Sequence, residues 1–314
     1  SCPKCHGRQI SQWLKFRSTE VLPCRYFHLI ATAPSELRSL FLRHQKTLYG
    51  LLMKTAAQSV RDLAAEKRFI GAQVGILAVL HTWTGQLHHH PHVHMLVTGG
   101  GVTDDGTAWH AAPKKFLVPV RKLSRMIAKR FAAALQKGHP ELFEQIPDTV
   151  WRREWCSYCK PYGRGQDAVL NYLARYVFRV ALTNRRLMAM DETHVTLRYK
   201  DHDTGQWRTV RLEGVQFLRR FLFHVLPKGF HKVRYYGLWH PCKRDRQARA
   251  RLLLELTTVS AGQSPVVLMA DIVDEALEQS DLASQDHAVK CPKCGSMNVD
   301  RLNTIGRRNP MVVK

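Results

Sequence analysis

The stretch GQLHHHPHVHMLV, residues 85–97, holds five histidines within seven consecutive positions. His92 and His94 flank a valine, and on a β-strand residues two apart project to the same side. Paired imidazoles suit Mn²⁺ and later transition metals, whereas Mg²⁺ prefers oxygen ligands, so a hard ion would need an oxygen donor as well. We therefore expect a metal site at His92 and His94. The candidates for its third ligand are Gln86, His88 and His90.

Two other interpretations of this stretch stay open. Histidines at a hairpin tip can simply be solvated, which is the interpretation we favour for His88 and His89. His90, His92 and His94 also fit the alternating pattern of the histidine-triad nucleotide hydrolases. Pro91 stands between two of them and cannot donate to a sheet ladder, which speaks against that pattern.

A second group of reactive side chains lies in VLNYLARYVFR, residues 169–179. On a helix, one stripe carries Tyr172, Arg175, Tyr176 and Arg179. An apolar stripe beside it can be buried, which would leave the phenols and guanidiniums facing a cleft or solvent. A phenol titrates near 10, so its use as a nucleophile needs a polarised electrophile and cationic neighbours. Together with paired metal ligands, these residues predict metal-assisted transesterification of DNA.

The charge balance favours DNA as the partner. The 314 residues carry 48 Lys and Arg against 25 Asp and Glu, a formal net charge of +23, with a pI near 10.1. A positive field attracts polyanions, and among these we favour nucleic acid over an anionic membrane surface. The sequence has no apolar run of about 20 residues and no signal segment at its start, so we expect no membrane partner.

The cysteines indicate a reducing compartment. Eight are present, and six form the CxxC pairs Cys2/Cys5, Cys156/Cys159 and Cys291/Cys294. Disulfide frameworks belong to small secreted chains, so in a basic protein of this size we expect thiols or metal ligands and a cytoplasmic location. The second pair lies on a predicted strand, where the two residues would face opposite sides and act structurally.

The elements that must position these residues follow an α+β pattern. A strand at residues 24–34 precedes a long helix that Ser35 caps and that runs to about residue 65. Two β-rich runs with Gly85 near their turn predict an antiparallel hairpin, and residues 120–136 and 165–182 read as helices. A further hairpin turns at Gly205, before a helix over residues 214–226. We therefore predict a mostly antiparallel sheet flanked by helices.

The motifs HPHVHMLVTGGG, YCKPYG and VLNYLARYVFRVALTNRRL resemble the HUH rolling-circle transposases of the insertion-sequence ninety-one family. The resemblance covers most of residues 22–256. It implies an HUH-nuclease-like sheet that carries His92 and His94 as ligands of Mg²⁺ or Mn²⁺, with Gln86 as the third. It also implies that Tyr172 and Tyr176 are nucleophiles that nick and transfer single-stranded DNA through a 5′-phosphotyrosine, in a bacterial, nucleoid-associated protein.

The family resemblance also predicts the domain organisation. CPKCHGRQISQW looks like the last part of an N-terminal zinc module, with Cys2 and Cys5 as two of its four ligands, so we read the chain as a fragment. Residues 1–20 would be the remnant of that module, residues 21–257 the catalytic domain, and residues 258–314 a tail with a CxxC pair.

The basic stretch at residues 219–251 is the predicted DNA-binding part of the catalytic domain. It holds ten Lys and Arg against one acid, interleaved with aromatic residues, as single-strand binding requires. With Arg175 and Arg179, the expected phosphate contacts are Lys243, Arg244, Arg246, Arg249 and Arg251. The competing hypotheses are a DNA-binding module without nuclease activity, for instance a decayed element copy, and a histidine-triad hydrolase.

Overall fold

A five-stranded sheet is the centre of the fold. In this computed structural model, which describes residues 21–177, 179–201 and 204–259, the five strands are β1 (Arg25–Thr32), β2 (Gly75–Trp83), β3 (His89–Thr98), β6 (Cys156–Arg164) and β10 (Val233–Gly237). They lie in the order β10-β2-β3-β1-β6, and every neighbouring pair is antiparallel. The predicted α+β class with a mostly antiparallel sheet is confirmed.

One face of the sheet builds the main hydrophobic core. Side chains alternate between the two faces of a strand, and this face carries Phe27, Leu29, Ala31, Ile76, Ala78, Leu80, Val93, Met95 and Val97. The helices α1 (Arg38–Arg43), α2 (Gln45–Ala65) and α3 (Val120–Gly138) add their apolar stripes to the same core. A short helix, α4 (Pro140–Phe143), follows α3. The opposite face, which we call the polar face, carries His28, His81, His92 and His94 beside apolar residues such as Leu77 and Leu96.

A short helical segment lies against that opposite face. It begins as the α-helix α5 (Gly165–Tyr172) and continues as a π-helical turn, Leu173–Val177. Single π-turns inside helices are rare and are frequent at functional sites. The prediction of one continuous α-helix over residues 165–182 is therefore wrong in two respects. The helical segment changes from α to π at Leu173, and it ends before Val180, which is half exposed.

A smaller sheet packs on the tip of the β2–β3 hairpin. It consists of β7 (Leu187–Met190), β8 (His194–Lys200) and β9 (Trp207–Glu213), and α6 (Gly214–Leu222) follows it. Leu87, at the tip, is fully buried in a core formed with residues of this sheet. Arg186 donates to the carbonyl of Gly85 and Arg220 to that of Gln86. The hairpin tip is thus tied to the rest of the fold. His88 is exposed, as expected of a solvated histidine, whereas His89 is buried and bonds to Tyr49, so the expectation is wrong for His89.

The remaining elements pack at one end of the central sheet. The strands β4 (Gly100–Val102) and β5 (Trp109–Ala111) form a small hairpin, which contacts α7 (Arg244–Val259). Within the described ranges, no helix combines the length and the apolar composition needed to cross a membrane. The predicted zinc-module remnant with Cys2 and Cys5, and nearly all of the predicted tail with Cys291 and Cys294, lie outside the described residues.

The helix predicted from Ser35 to residue 65 differs in its start. A 3₁₀ turn, Ser35–Leu37, and α1 precede a break at His44, after which α2 runs to Ala65. The Ser35 hydroxyl donates to the carboxylate of Glu36, 2.9 Å away, and caps no backbone N–H group. Pro34 occupies the N-cap position of this turn, so Ser35 is its first residue rather than its cap, and the capping prediction is wrong.

Candidate metal and tyrosine site

Three histidines from two neighbouring strands form a cluster on the polar face of the central sheet. In the β2–β3 register His81 stands directly opposite His92, and His94 follows two residues later on the same face. One ring nitrogen of each residue lies within 4.8 Å of those of the other two. The predicted pair of His92 and His94 thus lies together, and β2 supplies the third imidazole.

Hydrogen bonds orient the rings of this cluster. His81 Nε2 lies 2.7 Å from the backbone oxygen of Tyr176, and His92 Nδ1 lies 2.7 Å from that of His90. A carbonyl oxygen can only accept, so these two nitrogens carry the protons and donate. The lone pairs of His81 Nδ1 and His92 Nε2 remain for a metal, which is the arrangement that outer hydrogen bonds give to metal-binding histidines.

Burial keeps these imidazoles neutral. It lowers the pKa of His81 to about 3 and the pKa of His92 to about 4, and it holds the pKa of His94 well below its ordinary value. The neighbouring imidazoles and the positive charge of Arg179 lower the pKa of His94 further. A metal ligand must present a lone pair, so the site favours the protonation state that binds metal.

Gln86 lies apart from this cluster. It occupies the turn between β2 and β3, five positions after His81, and its Oε1 lies 3.1 Å from Nε2 of the exposed His88. The structure therefore places His81, not Gln86, beside the two predicted ligands. Pairing the hairpin residue by residue from Gly85 would have put His81 opposite His89, on the other face from His92. The observed register puts His81 opposite His92, with an irregularity between His81 and Trp83, so the sequence pattern did not single out His81.

Tyr176 lies directly against the histidine cluster. Its ring centroid is 4.3 Å from that of His94 and 6.1 Å from that of His81, and its side chain is half-buried. Because His81 donates to the Tyr176 carbonyl, the π-helical turn is also fastened to β2. Of the two predicted tyrosines, this one has its ring in contact with the candidate metal ligands.

Tyr172 lies deeper, behind Tyr176. Its side chain is fully buried, and its ring centroid is 4.9 Å from that of Tyr176. Burial raises its pKa well above the ordinary value of 10, and the neighbouring phenols of Tyr176 and Tyr162 add to this effect. The expectation that both phenols face a cleft or solvent is therefore wrong for Tyr172, because the tyrosine stripe faces the sheet.

Two cations lie near the cluster. Arg179 follows the π-helical turn and is exposed, and its charge acts on all three clustered histidines. Lys232, just before β10, lies with Nζ 3.4 Å from the Arg179 carbonyl oxygen, and its charge contributes to the low pKa of His81. The side chain of Arg175 lies outside the described part of the chain.

The basic residues of α7, with Lys243 just before it, divide into two groups. Arg246 donates to the backbone oxygen of Asp104 at 2.9 Å, and Arg249 donates to that of Gly106 at 2.8 Å. These two guanidiniums brace the loop between β4 and β5. The predicted phosphate contacts Lys243 and Arg244 are exposed, and Arg251 is half-buried.

Comparisons with known proteins identify the family. Residues 75–247, from the first residue of β2 into α7, match a protein family described as "Putative transposase". "Putative transposase y4qJ" of Sinorhizobium fredii is 37% identical over 281 residues, which are 84% of this chain and 71% of that protein. "Transposase for insertion sequence element IS801" of Pseudomonas savastanoi pv. phaseolicola is 28% identical over 253 residues, 76% of this chain and 60% of that protein.

The matched segment includes the three histidines of the cluster and both tyrosines. No solved structure matches the chain with significant similarity. The chain therefore belongs to this transposase family, within the group similar to the insertion-sequence ninety-one transposases.

Proposed function

We propose that the protein nicks and rejoins single-stranded DNA through a 5′-phosphotyrosine, as a metal-dependent HUH transposase of the two-tyrosine, rolling-circle type. The observation that carries the proposal is the contact of Tyr176 with His94, at a ring-centroid distance of 4.3 Å. His94 belongs to a cluster of three imidazoles that could hold a metal ion. A candidate nucleophile and a candidate metal site thus lie side by side in a strongly basic chain of a transposase family.

The donor set of the cluster fits a divalent transition metal. His81 and His92 each have one ring nitrogen bonded to a carbonyl and the other left for a ligand bond. Among the described residues the cluster holds three imidazoles and no carboxylate, so Mg²⁺ is a poor fit and of the two expected metals we favour Mn²⁺. Bound there with His94 as third ligand, it would polarise the scissile phosphate. Zinc at Cys2 and Cys5 remains a separate prediction.

The residues of the chain supply the rest of the reaction. The Tyr176 oxygen forms a bond to the phosphorus, the bond from phosphorus to the 3′ oxygen breaks, and the DNA end leaves as a 3′-hydroxyl. The phenol loses its proton, and the leaving oxygen takes one up. Arg179 and Lys232 offer positive charge to the phosphate oxygens. A 3′-hydroxyl that attacks the phosphotyrosine then joins the strands and releases the phenol.

A covalent-adduct assay tests this function. The protein is incubated with Mn²⁺ and a randomised pool of labelled single-stranded oligonucleotides, and adducts that survive denaturation are measured. We expect the wild-type chain to form them and the double variant Tyr172→Phe with Tyr176→Phe to form none. Tyr199→Phe is the matched control, since Tyr199 lies on β8 in the smaller sheet.

The other outcomes separate the competing functions. DNA binding without an adduct in the wild-type chain would favour the DNA-binding module, and hydrolysis of nucleotides would favour the histidine-triad hydrolase. An adduct yield that the double variant leaves unchanged would show that our assignment of the nucleophiles is wrong.

A further inference from the structure

A fourth histidine, His28, contacts both the histidine cluster and the tyrosine helix, by which we mean α5 and its π-helical turn with Tyr172 and Tyr176. It is on β1, which pairs with β3, and its side chain is only 3% exposed. Its strand position puts it on the polar face of the sheet, diagonally across from His94, because His28 pairs with Leu96 and Ile30 pairs with His94. Burying a histidine costs free energy unless its ring nitrogens form hydrogen bonds, so the contacts of His28 indicate its role.

The first contact of His28 is with a candidate metal ligand. Its Nε2 lies 2.9 Å from Nδ1 of His94, and the two rings are stacked with centroids 5.1 Å apart. One of these nitrogens donates and the other accepts. If His94 Nδ1 donates, the lone pair of His94 Nε2 is left for the metal, in the same way that carbonyl oxygens leave one lone pair on His81 and on His92.

The second contact of His28 is with the tyrosine helix. Its ring centroid lies 4.8 Å from that of Tyr176 and 5.7 Å from that of Tyr172. Two tyrosines of β6, Tyr158 and Tyr162, complete the cage around it at 5.3 and 5.6 Å. One imidazole thus contacts a candidate ligand and both candidate nucleophiles.

We propose that His28 is a positioning residue that holds His94 in its metal-binding tautomer and provides the packing surface for Tyr176. The inference rests on the proposed function, since it assigns His94 to a metal. Outer hydrogen bonds of this kind orient metal-binding histidines, and their loss costs about 10- to 100-fold in metal affinity. The two roles use different properties of the ring, a nitrogen acceptor for His94 and a flat surface for Tyr176.

Two substitutions separate these roles. His28→Phe keeps an aromatic ring in the cage but removes the acceptor, so we expect the Mn²⁺ affinity, measured by calorimetry on the full chain, to fall about 10- to 100-fold. His28→Gln places an amide oxygen near the position of Nε2 and can accept from His94, so it should retain most of the affinity. His224→Phe, a histidine outside the cluster that bonds to Thr82 and Leu87, is the matched control and should bind Mn²⁺ as the wild type does.

The adduct assay gives an independent readout. Because His28→Phe retains the packing surface, raising the Mn²⁺ concentration should restore its rate of adduct formation nearly to that of the wild type. Unchanged Mn²⁺ affinity in a folded His28→Phe chain, or equal losses in the Phe and Gln variants, would overturn the inference. A wild-type chain that binds no Mn²⁺ would instead contradict the proposed metal site, and the inference with it.

Discussion

The two tyrosines stand in unlike surroundings, although the sequence spaces them as an equivalent pair. Tyr176 is half-buried and its ring contacts His94, whereas Tyr172 is fully buried and its pKa is raised well above 10 by burial. A phenol must lose its proton to attack phosphorus, and it must reach the phosphate. Under the proposed function we therefore expect Tyr176 to act first from this conformation, and Tyr172 to act only after the helical segment moves.

Single substitutions should therefore have different effects. With a single-stranded substrate and Mn²⁺, Tyr176→Phe should slow the first cleavage by on the order of 10³-fold or more, as loss of a nucleophile does. Tyr172→Phe should leave the first cleavage within about a factor of three and reduce strand joining. The rates are measured separately, by adduct formation and by ligated product. Equal losses of first cleavage in both variants would contradict this order of use.

Arg179 and Arg249 allow a test of which cations bind DNA. Arg179 is exposed beside the cluster, while Arg249 donates to the Gly106 carbonyl. Arg179→Gln should weaken single-strand binding and reduce the slope of log affinity against log salt by about 0.7, the value for one phosphate contact. Arg249→Gln should leave that slope unchanged and lower the stability instead. The two slopes are compared by titration with a labelled oligonucleotide, and the same slope change in both variants would contradict the assignment.

At the scale of the element, local sequence periodicity predicted much of the site. The alternation of His92, Val93 and His94 predicted a strand with two candidate ligands on one face, and helical spacing predicted that Tyr172 and Tyr176 lie close together. His81 and His28 were missed because each is brought in by strand pairing, and the order β2-β3-β1 is set by the packing of the whole sheet. The π-helical turn was missed for a related reason, since it is fastened by a contact of Tyr176 with β2.

The edge strand β10 depends on a glycine at its end. Gly237 has a φ of +62°, and a Cβ atom there would collide with the Val74 carbonyl oxygen. Gly229 also has a positive φ, +75°, but no atom lies within 4 Å of the Cβ position. A left-handed conformation costs a residue with a side chain about 1–2 kcal/mol, and a collision with backbone adds to that cost.

Substitution by alanine at both glycines tests how firmly β10 is held. Gly229→Ala should lower the free energy of unfolding by about 1 kcal/mol, and Gly237→Ala by clearly more, about 3 kcal/mol. Urea denaturation of the two variants and the wild type measures the difference. Equal losses would mean that β10 shifts to accommodate the added methyl group at Gly237.

At the scale of the whole molecule, buried imidazoles make the fold sensitive to acid. Burial lowers the pKa of His81 to about 3 and the pKa values of His89 and His92 to about 4. Unfolding restores values near 6.5, so the unfolded chain takes up protons at a pH where the folded chain does not. The stabilisation is fully present above roughly pH 6.5 and is lost as the pH falls toward 4.

The expected loss is large enough to measure. At about pH 5 each of the three histidines would cost roughly 2 kcal/mol of stability relative to neutral pH, at about 1.4 kcal/mol per pH unit. The urea midpoint of the metal-free chain should therefore fall steeply between about pH 7 and pH 5.

The variant His89→Phe tests the contribution of one histidine. It removes a buried imidazole that bonds to Tyr49 and lies outside the histidine cluster. That variant should lose less stability on acidification than the wild type does, by roughly 2 kcal/mol, because one fewer group takes up a proton on unfolding. A pH dependence identical to that of the wild type would show that His89 titrates alike in the folded and unfolded chain.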